Sequence, residues 1–277
     1  MLPDQASSVQ ASSVLASSVQ ARTVASITLR ATIGRKRAIL FALPPLILVL
    51  VTALLKAGHA HGDWPSAILG SFGLAVVLPL TALIIGTSVL GAEIDDGSII
   101  HLLATPVRRS SVVMTKFIVA TVLTMVFAAI PELVAALIAG GGSSPPAVVS
   151  PGPAGFVPIT ISGSKLALGL FIGALACSVI YNAVFVMVSV ATTRAIAVGL
   201  LYVLIWEALL SNFVSGARLL SVSHYGLGIA NGFAHDPTLA AGLTVPTSAI
   251  MGAVVTVAAL ALAVNLLSSF TLKGEPA

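Results

Sequence analysis

Three polar residues stand inside long apolar runs: Glu132 after Pro131, Asn182 after Tyr181 and Glu207 after Trp206. Ionisable groups in such runs are costly to bury, which makes them functional candidates, and here the candidate role is to line a substrate path. Other constellations are thinner. His59, His61 and Asp63 share a short connection, but three loop residues rarely complete a coordination shell. They read as a polar turn, and no metal site is expected. Ser71 in "GSFG" and Ser162 in "SGS" have no histidine or acid placed at depth to activate them, so intramembrane serine proteolysis is unsupported. No "HExxH" occurs, and none of the five lysines follows a glycine, so the chain has no phosphate-cradling loop. A single cysteine, Cys177, excludes an internal disulfide framework and a multi-cysteine metal site. It reads as a small core residue. No catalytic residue and no bound cofactor are expected.

The elements that hold these residues are membrane helices. The chain is 57% hydrophobic and 8% charged, with a mean hydropathy of +1.09, whereas soluble domains are about a quarter charged. With about twenty apolar residues needed per crossing, six spans are expected: Ala38–Leu55, Ala67–Leu90, Val112–Ala139, Leu166–Val190, Ala195–Phe213 and Ser248–Phe270. The runs are continuous, unlike the alternating segments of a β-barrel, and a helix satisfies its own backbone in lipid. The expected fold is an all-α integral membrane protein.

Orientation follows from the basic residues. Ten of the thirteen Lys and Arg fall on one side of a six-span chain: Arg22, Arg30, Arg35, Lys36, Arg37, Arg108, Arg109, Lys116, Arg194 and Lys273. Lys56, Lys165 and Arg218 fall on the other. Both termini are therefore expected in the cytoplasm, with the protein in the cell membrane. The sequence pI near 9.6 reflects this topology, and no nucleic-acid partner is expected. At about 1.5 Å per residue, Glu132 lies about 30 Å and Glu207 about 20 Å along their helices from the cytoplasmic end. Both fall in the outer half. Two readings stay open for them: a substrate path, or groups that reach the outer interface, with Glu207 pairing with Arg218 or a polar neighbour.

Outside the spans, residues 1–20 carry the repeat "ASSVQ ASSVL ASSVQ", a low-complexity tail that cannot bury a core. Residues 21–277 are expected to form one membrane domain. It opens with an amphipathic interfacial helix over 21–34, with Val24, Ile27 and Ala31 on one face. Ala139–Ser164, rich in Gly, Ser and Pro, is expected to be an irregular external loop. Residues 214–247 are fairly apolar yet too broken to span, and a re-entrant or interfacial helix pair is expected there. Pro44, Pro45 and Pro79 are expected to kink the first two spans.

Charge gathers on one connection, "GAEIDDGSIIHLLATPVRRSSVVMTK", residues 91–116. Asp95 and Asp96 make a favourable helix start. Ile99, Leu102 and Leu103 then share one face, and Pro106 ends the helix. Two turns are too few to be stable alone in water, so either lipid or a cytoplasmic partner must cover the apolar face.

This stretch resembles the signature of ABC type-2 export permeases, at Glu93, Gly97, Leu102, Leu103, Pro106, Val107, Arg109 and Lys116. Ser98 stands where threonine is usual and Arg108 where serine is usual. The six spans, cytoplasmic termini, amphipathic amino-terminal helix and long fifth-to-sixth external loop are similar to that family too. The resemblance implies a permease subunit paired with a second copy and with two separate ATP-binding subunits, which carry ATP and magnesium. It also implies that the short helix between spans two and three is the coupling helix. There Glu93, Gly97, Ser98, Ile99, Leu102, Leu103, Pro106, Arg109 and Lys116 would couple the permease to the ATPase. An ATP-independent secondary transporter would call for broken midplane sites in repeated halves. A membrane-embedded enzyme would call for a nucleophile–base or metal constellation at depth. Neither pattern is evident.

Overall fold

The structure, a computed structural model, describes residues 35–60, 64–95, 109–140, 147–152, 155–160, 163–211, 216–236, 239 and 242–269. The amino-terminal tail, the amphipathic helix expected over 21–34 and the coupling segment 96–108 lie outside the described residues.

Helices occupy the apolar runs. α1 is Arg35–Ala57 and continues through Pro44 and Pro45. α2 is assembled from Trp64–Ala67, a π-helical stretch Ile68–Val77, and Leu78–Asp95. α3 comprises Arg109–Thr124, the π-helical Met125–Ala129 and Ile130–Gly140. α4 is Gly163–Ala191. α5 is Ala195–Leu201 continued by the π-helical Tyr202–Leu210. A 3₁₀ turn Ala217–Leu220 leads into α6, Val222–Ala234, and α7 is Val245–Ser269. Among the described residues five helices are long and apolar enough to cross a membrane, and Ala195–Leu210 is a shorter apolar helix. The protein is a multi-pass integral membrane protein built on helices, the all-α expectation being modified by one two-stranded sheet in a connection.

Two of the π stretches have a cause in the sequence. Each ends two residues before a proline, Pro79 or Pro131. A proline lacks the N–H of the helical ladder, and its ring presses on the carbonyl four residues back. Widening the ladder relieves that pressure: the Leu78 N–H bonds Gly73 O and the Ile130 N–H bonds Met125 O, each five residues back. So Pro79 acts through a π-helical turn. The third stretch, in α5, contains no proline; it holds Glu207.

Two expectations for the connecting segments are corrected. Within Ala139–Ser164, β1 (Ala147–Gly152) pairs antiparallel with β2 (Gly155–Thr160), Val148 opposite Ile159 and Ser150 opposite Val157. The glycines and prolines suggested an irregular loop, but the β-branched and aromatic residues among them favour a pleated pair. In 214–247 the described residues form one helix preceded by a 3₁₀ turn, rather than a helix pair.

α6 is drawn tightly onto α4, more extensively than any other helix pair. Gly169, Gly173 and Cys177 on α4 face Gly226, Ala230 and Ala234 on α6, small residues four apart on both helices. Such spacing lets backbones approach closely without water to drive the contact. A Cβ on Gly173 would lie 2.6 Å from Gly226 O, and one on Gly226 would run into Cys177 Sγ. α6 also touches α7 and the π-helical part of α2, where Leu227 and Leu239 lie over Gly70. The main core joins α2, α4 and α6 through Leu69, Leu74, Leu170, Tyr181, Phe185 and Tyr225. α1 and α7 are peripheral, with 22% of each span window buried against 67% for α2.

Helix ends are tied across the bundle. Lys56 Nζ at the end of α1 donates to Ala139 O at the end of α3, at 3.1 Å. Arg109 at the start of α3 donates to Leu267 O and Ser268 O at the end of α7, at 2.6 and 3.0 Å. Each cation thereby satisfies carbonyls that a helix end leaves without an intrahelical partner.

Candidate functional site

Glu207 is fully buried and richly bonded. Its Oε1 accepts from Tyr202 Oη at 2.9 Å and from the Val222 N–H at 2.9 Å. Its Oε2 accepts from Ser221 Oγ at 2.6 Å, Ser223 Oγ at 2.7 Å and the Ser223 N–H at 3.3 Å. Val222 and Ser223 open α6, so a carboxylate on α5 caps the amino terminus of another helix. Two free N–H groups and the positive end of the helix dipole meet one negative charge. Ser221 has the extended backbone of an N-cap, φ −99° and ψ 125°, yet its side chain makes no cap bond. Its hydroxyl proton goes to Glu207 instead. Ser221 Oγ also lies 3.1 Å from His224 Nδ1; with the hydroxyl proton committed, the ring nitrogen is the donor. Burial lowers the pKa of the His224 imidazole, the Glu207 charge opposing it and the Arg218 charge adding to it. Of the two partners considered for Glu207, polar neighbours supply the bonds rather than Arg218.

Glu132 is the opposite case. It is 1% exposed, and its Oε1 has no hydrogen-bond partner among the described residues. It follows Pro131 at the end of one π-helical turn and presses on Gly73 inside another, where a Cβ would lie 2.5 Å from Oε2. Only a glycine leaves room there for the carboxylate. The segment of α3 that carries Glu132 packs on α4, and Cys177 Sγ on α4 reaches the carbonyl of Val222, whose N–H Glu207 caps, so both carboxylates sit on elements beside α4. Asn182, further along α4, spends its amide nitrogen on Thr124 Oγ1 at 2.9 Å and Ser178 O at 2.7 Å. Its Oδ1 is buried, has no hydrogen-bond partner among the described residues and faces Gly86 on α2. Buried oxygens left open in this way are costly unless something supplies a donor.

Of the residues expected at the cytoplasmic connection, Gly97, Ser98, Ile99, Leu102, Leu103 and Pro106 lie outside the described residues. Glu93 falls in the last turns of α2 by its backbone. Lys116 is fully buried, and its Nζ donates to Val89 O on α2 at 2.9 Å. Arg109 grips the end of α7 as described above. Lys116 and Arg109 thus fix the roots of the connection to α2 and α7.

Sequence reasoning missed Tyr202, Ser221, Ser223 and Gly73. A signal for two of them existed: "SVS" before the run "HYGLGIANGF" is an N-cap pattern. Nothing in the sequence marks Gly73 apart from the other glycines. Compared with known proteins, the chain matches a family model described as ABC-2 family transporter protein over residues 2–271. No curated protein matches it.

Proposed function

The chain belongs to the ABC-2 family of transporter proteins, and on that premise we propose that it is the export permease of an ATP-driven transporter. The family is the membrane component of ABC transporters rather than an enzyme in itself, and it implies partnership with an ABC ATP-binding subunit. In our reading ATP is hydrolysed on two copies of that separate subunit, and this chain pairs with a second copy of itself. The observation that carries the reading is the family match over nearly the whole chain, 2–271.

The reading includes six crossings with both termini cytoplasmic in the cell membrane. The sixteen-residue helix Ala195–Leu210 supplies the fifth. Support comes from the helix ends: α1 with α3 at Lys56, and α3 with α7 at Arg109, as alternating directions require. In this reading the connection over 93–109 couples the permease to the ATP-binding subunit, with Ile99, Leu102 and Leu103 meeting that subunit and Lys116 and Arg109 anchoring the returning chain. Glu132 and Asn182, with open oxygens, line the substrate path. Glu207 contributes to that path through the helix it holds.

The test is to express Leu102→Asp with the ATP-binding subunit and recover the complex from membranes. A charge forced into a dry contact costs several kcal/mol, so recovery and ATP hydrolysis by the complex should both fall while membrane levels stay normal. Wild-type recovery and hydrolysis would refute the coupling role.

A further inference from the structure

The π-helical part of α5 grips the turn before α6 twice. Trp206 Nε1 donates to Leu220 O at 3.2 Å, and Glu207 collects five donors from Tyr202 and the 221–223 turn. α6 in turn is packed on α4 through small residues with almost no slack. α5 meets α4 directly through the edge-on rings of Phe185 and Tyr202, 6.3 Å apart. Two helices are therefore joined by close packing, and a third, which packs on α4 and, through Gly199 against Leu83, on α2, is tied to the start of α6 by Trp206 and one carboxylate.

A neutral side chain would keep only part of that fastening. All five groups donate to Glu207, and although the three hydroxyls could turn to accept, both carboxylate oxygens also take a backbone N–H, which can only donate. In glutamine one of those positions becomes NH₂, which would face the N–H of Val222 or of Ser223. The charge also strengthens each bond, as ionised acceptors do, and matches the positive helix end.

We propose that Glu207 is a positioning residue for transport: it joins α5 to the α4–α6 pair, so that the three helices move as one body during the ATP cycle. The proposal rests on the permease reading above.

The test uses the full chain with its ATP-binding subunit in lipid nanodiscs. Nitroxide labels go on Leu204→Cys in α5 and Phe233→Cys in α6, positions 49% and 44% exposed; the native Cys177 is fully buried and stays unlabelled. Pulsed electron spin resonance then reads the label distance without nucleotide and with ATP plus vanadate. In the wild-type background the distribution should be narrow and the same in both states. With Glu207→Gln it should broaden and become nucleotide-dependent, since α5 then moves without α6. A static structural role predicts broadening with no dependence on nucleotide, and that result overturns the proposal. So does a wild-type distance that changes with nucleotide, or a Glu207→Gln distribution that matches wild type. Should Glu207→Gln not reach the membrane, Ser223→Ala, which removes one hydroxyl donor and spares the backbone cap, carries the same test with a smaller broadening. Failure to recover any complex with the ATP-binding subunit would sink the permease reading instead. The nucleotide-free distributions would then decide the joint alone, a narrow one for Glu207→Gln refuting it and a broad one retaining it.

Discussion

Replacing Gly173 by alanine tests whether the α4–α6 contact is as tight as the backbones imply. The new Cβ would sit 2.6 Å from Gly226 O and 3.0 Å from Ala230 Cβ, where ordinary contact begins at 3.4 Å. The carbonyl belongs to a helix and cannot turn away, so α6 must withdraw by up to about 0.8 Å, the shortfall from that ordinary contact. A gap of that size forfeits a quarter to a half of each dispersion contact it opens, including those of Gly169 with Ala230 and of Gly226 with Cys177. Overpacking of this kind costs about 1–3 kcal/mol, against which alanine's helix preference returns about 0.5–1 kcal/mol. The net expectation is a loss centred on about 1 kcal/mol and reaching about 2.5 kcal/mol, the overpacking outweighing the gain in helix preference. The assay is thermal unfolding of the purified protein in nanodiscs, with hydrogen exchange of 222–234 reporting whether α6 is the part that loosens. Gly216→Ala is the control, because nothing lies within 4 Å of its Cβ and its φ of −71° suits any residue. Adding Gly169→Ala to Gly173→Ala should cost less than the sum of the two, since one withdrawal of α6 relieves both. A Gly173→Ala protein as stable as wild type, or strict additivity, would refute the reasoning.

Gly73→Ala should push the Glu132 carboxylate out of its seat and destabilise the protein by about 1–3 kcal/mol; adding Glu132→Ala should recover most of that loss, and unfolding that shows no recovery would mean the two do not oppose each other. For His224, whose pKa is lowered in the fold, the unfolded chain binds the proton more readily, so the stabilising contribution is present at neutral pH and is lost as pH falls through the ordinary imidazole range. Hydrogen exchange at 221–225 should quicken on mild acidification, and His224→Gln should flatten that dependence; an unchanged dependence in the variant would assign it to another group. Cysteine introduced at Ser144 should react with an impermeant maleimide from outside, and at Ser110 only after the cytoplasmic face is opened; the reverse pattern would invert the topology.

The helices were legible in the sequence because apolar length belongs to each segment by itself. The run Val112–Ala139 anticipated a helix spanning Arg109–Gly140, and Leu166–Val190 one at Gly163–Ala191. The same one-body reasoning flagged Glu132, Asn182 and Glu207, since a polar residue in an apolar run stands out whatever surrounds it. It could not tell them apart. Which of them is satisfied depends on donors from other helices, and the serines that bind Glu207 lie 14 and 16 residues downstream. The prolines were visible too, but whether the backbone answers with a kink or a π-helical turn depends on what the widened turn packs against. Gly73 shows the limit most plainly: one glycine among 24 is fixed by a carboxylate from a different helix, a steric demand that exists only once α2 and α3 have met.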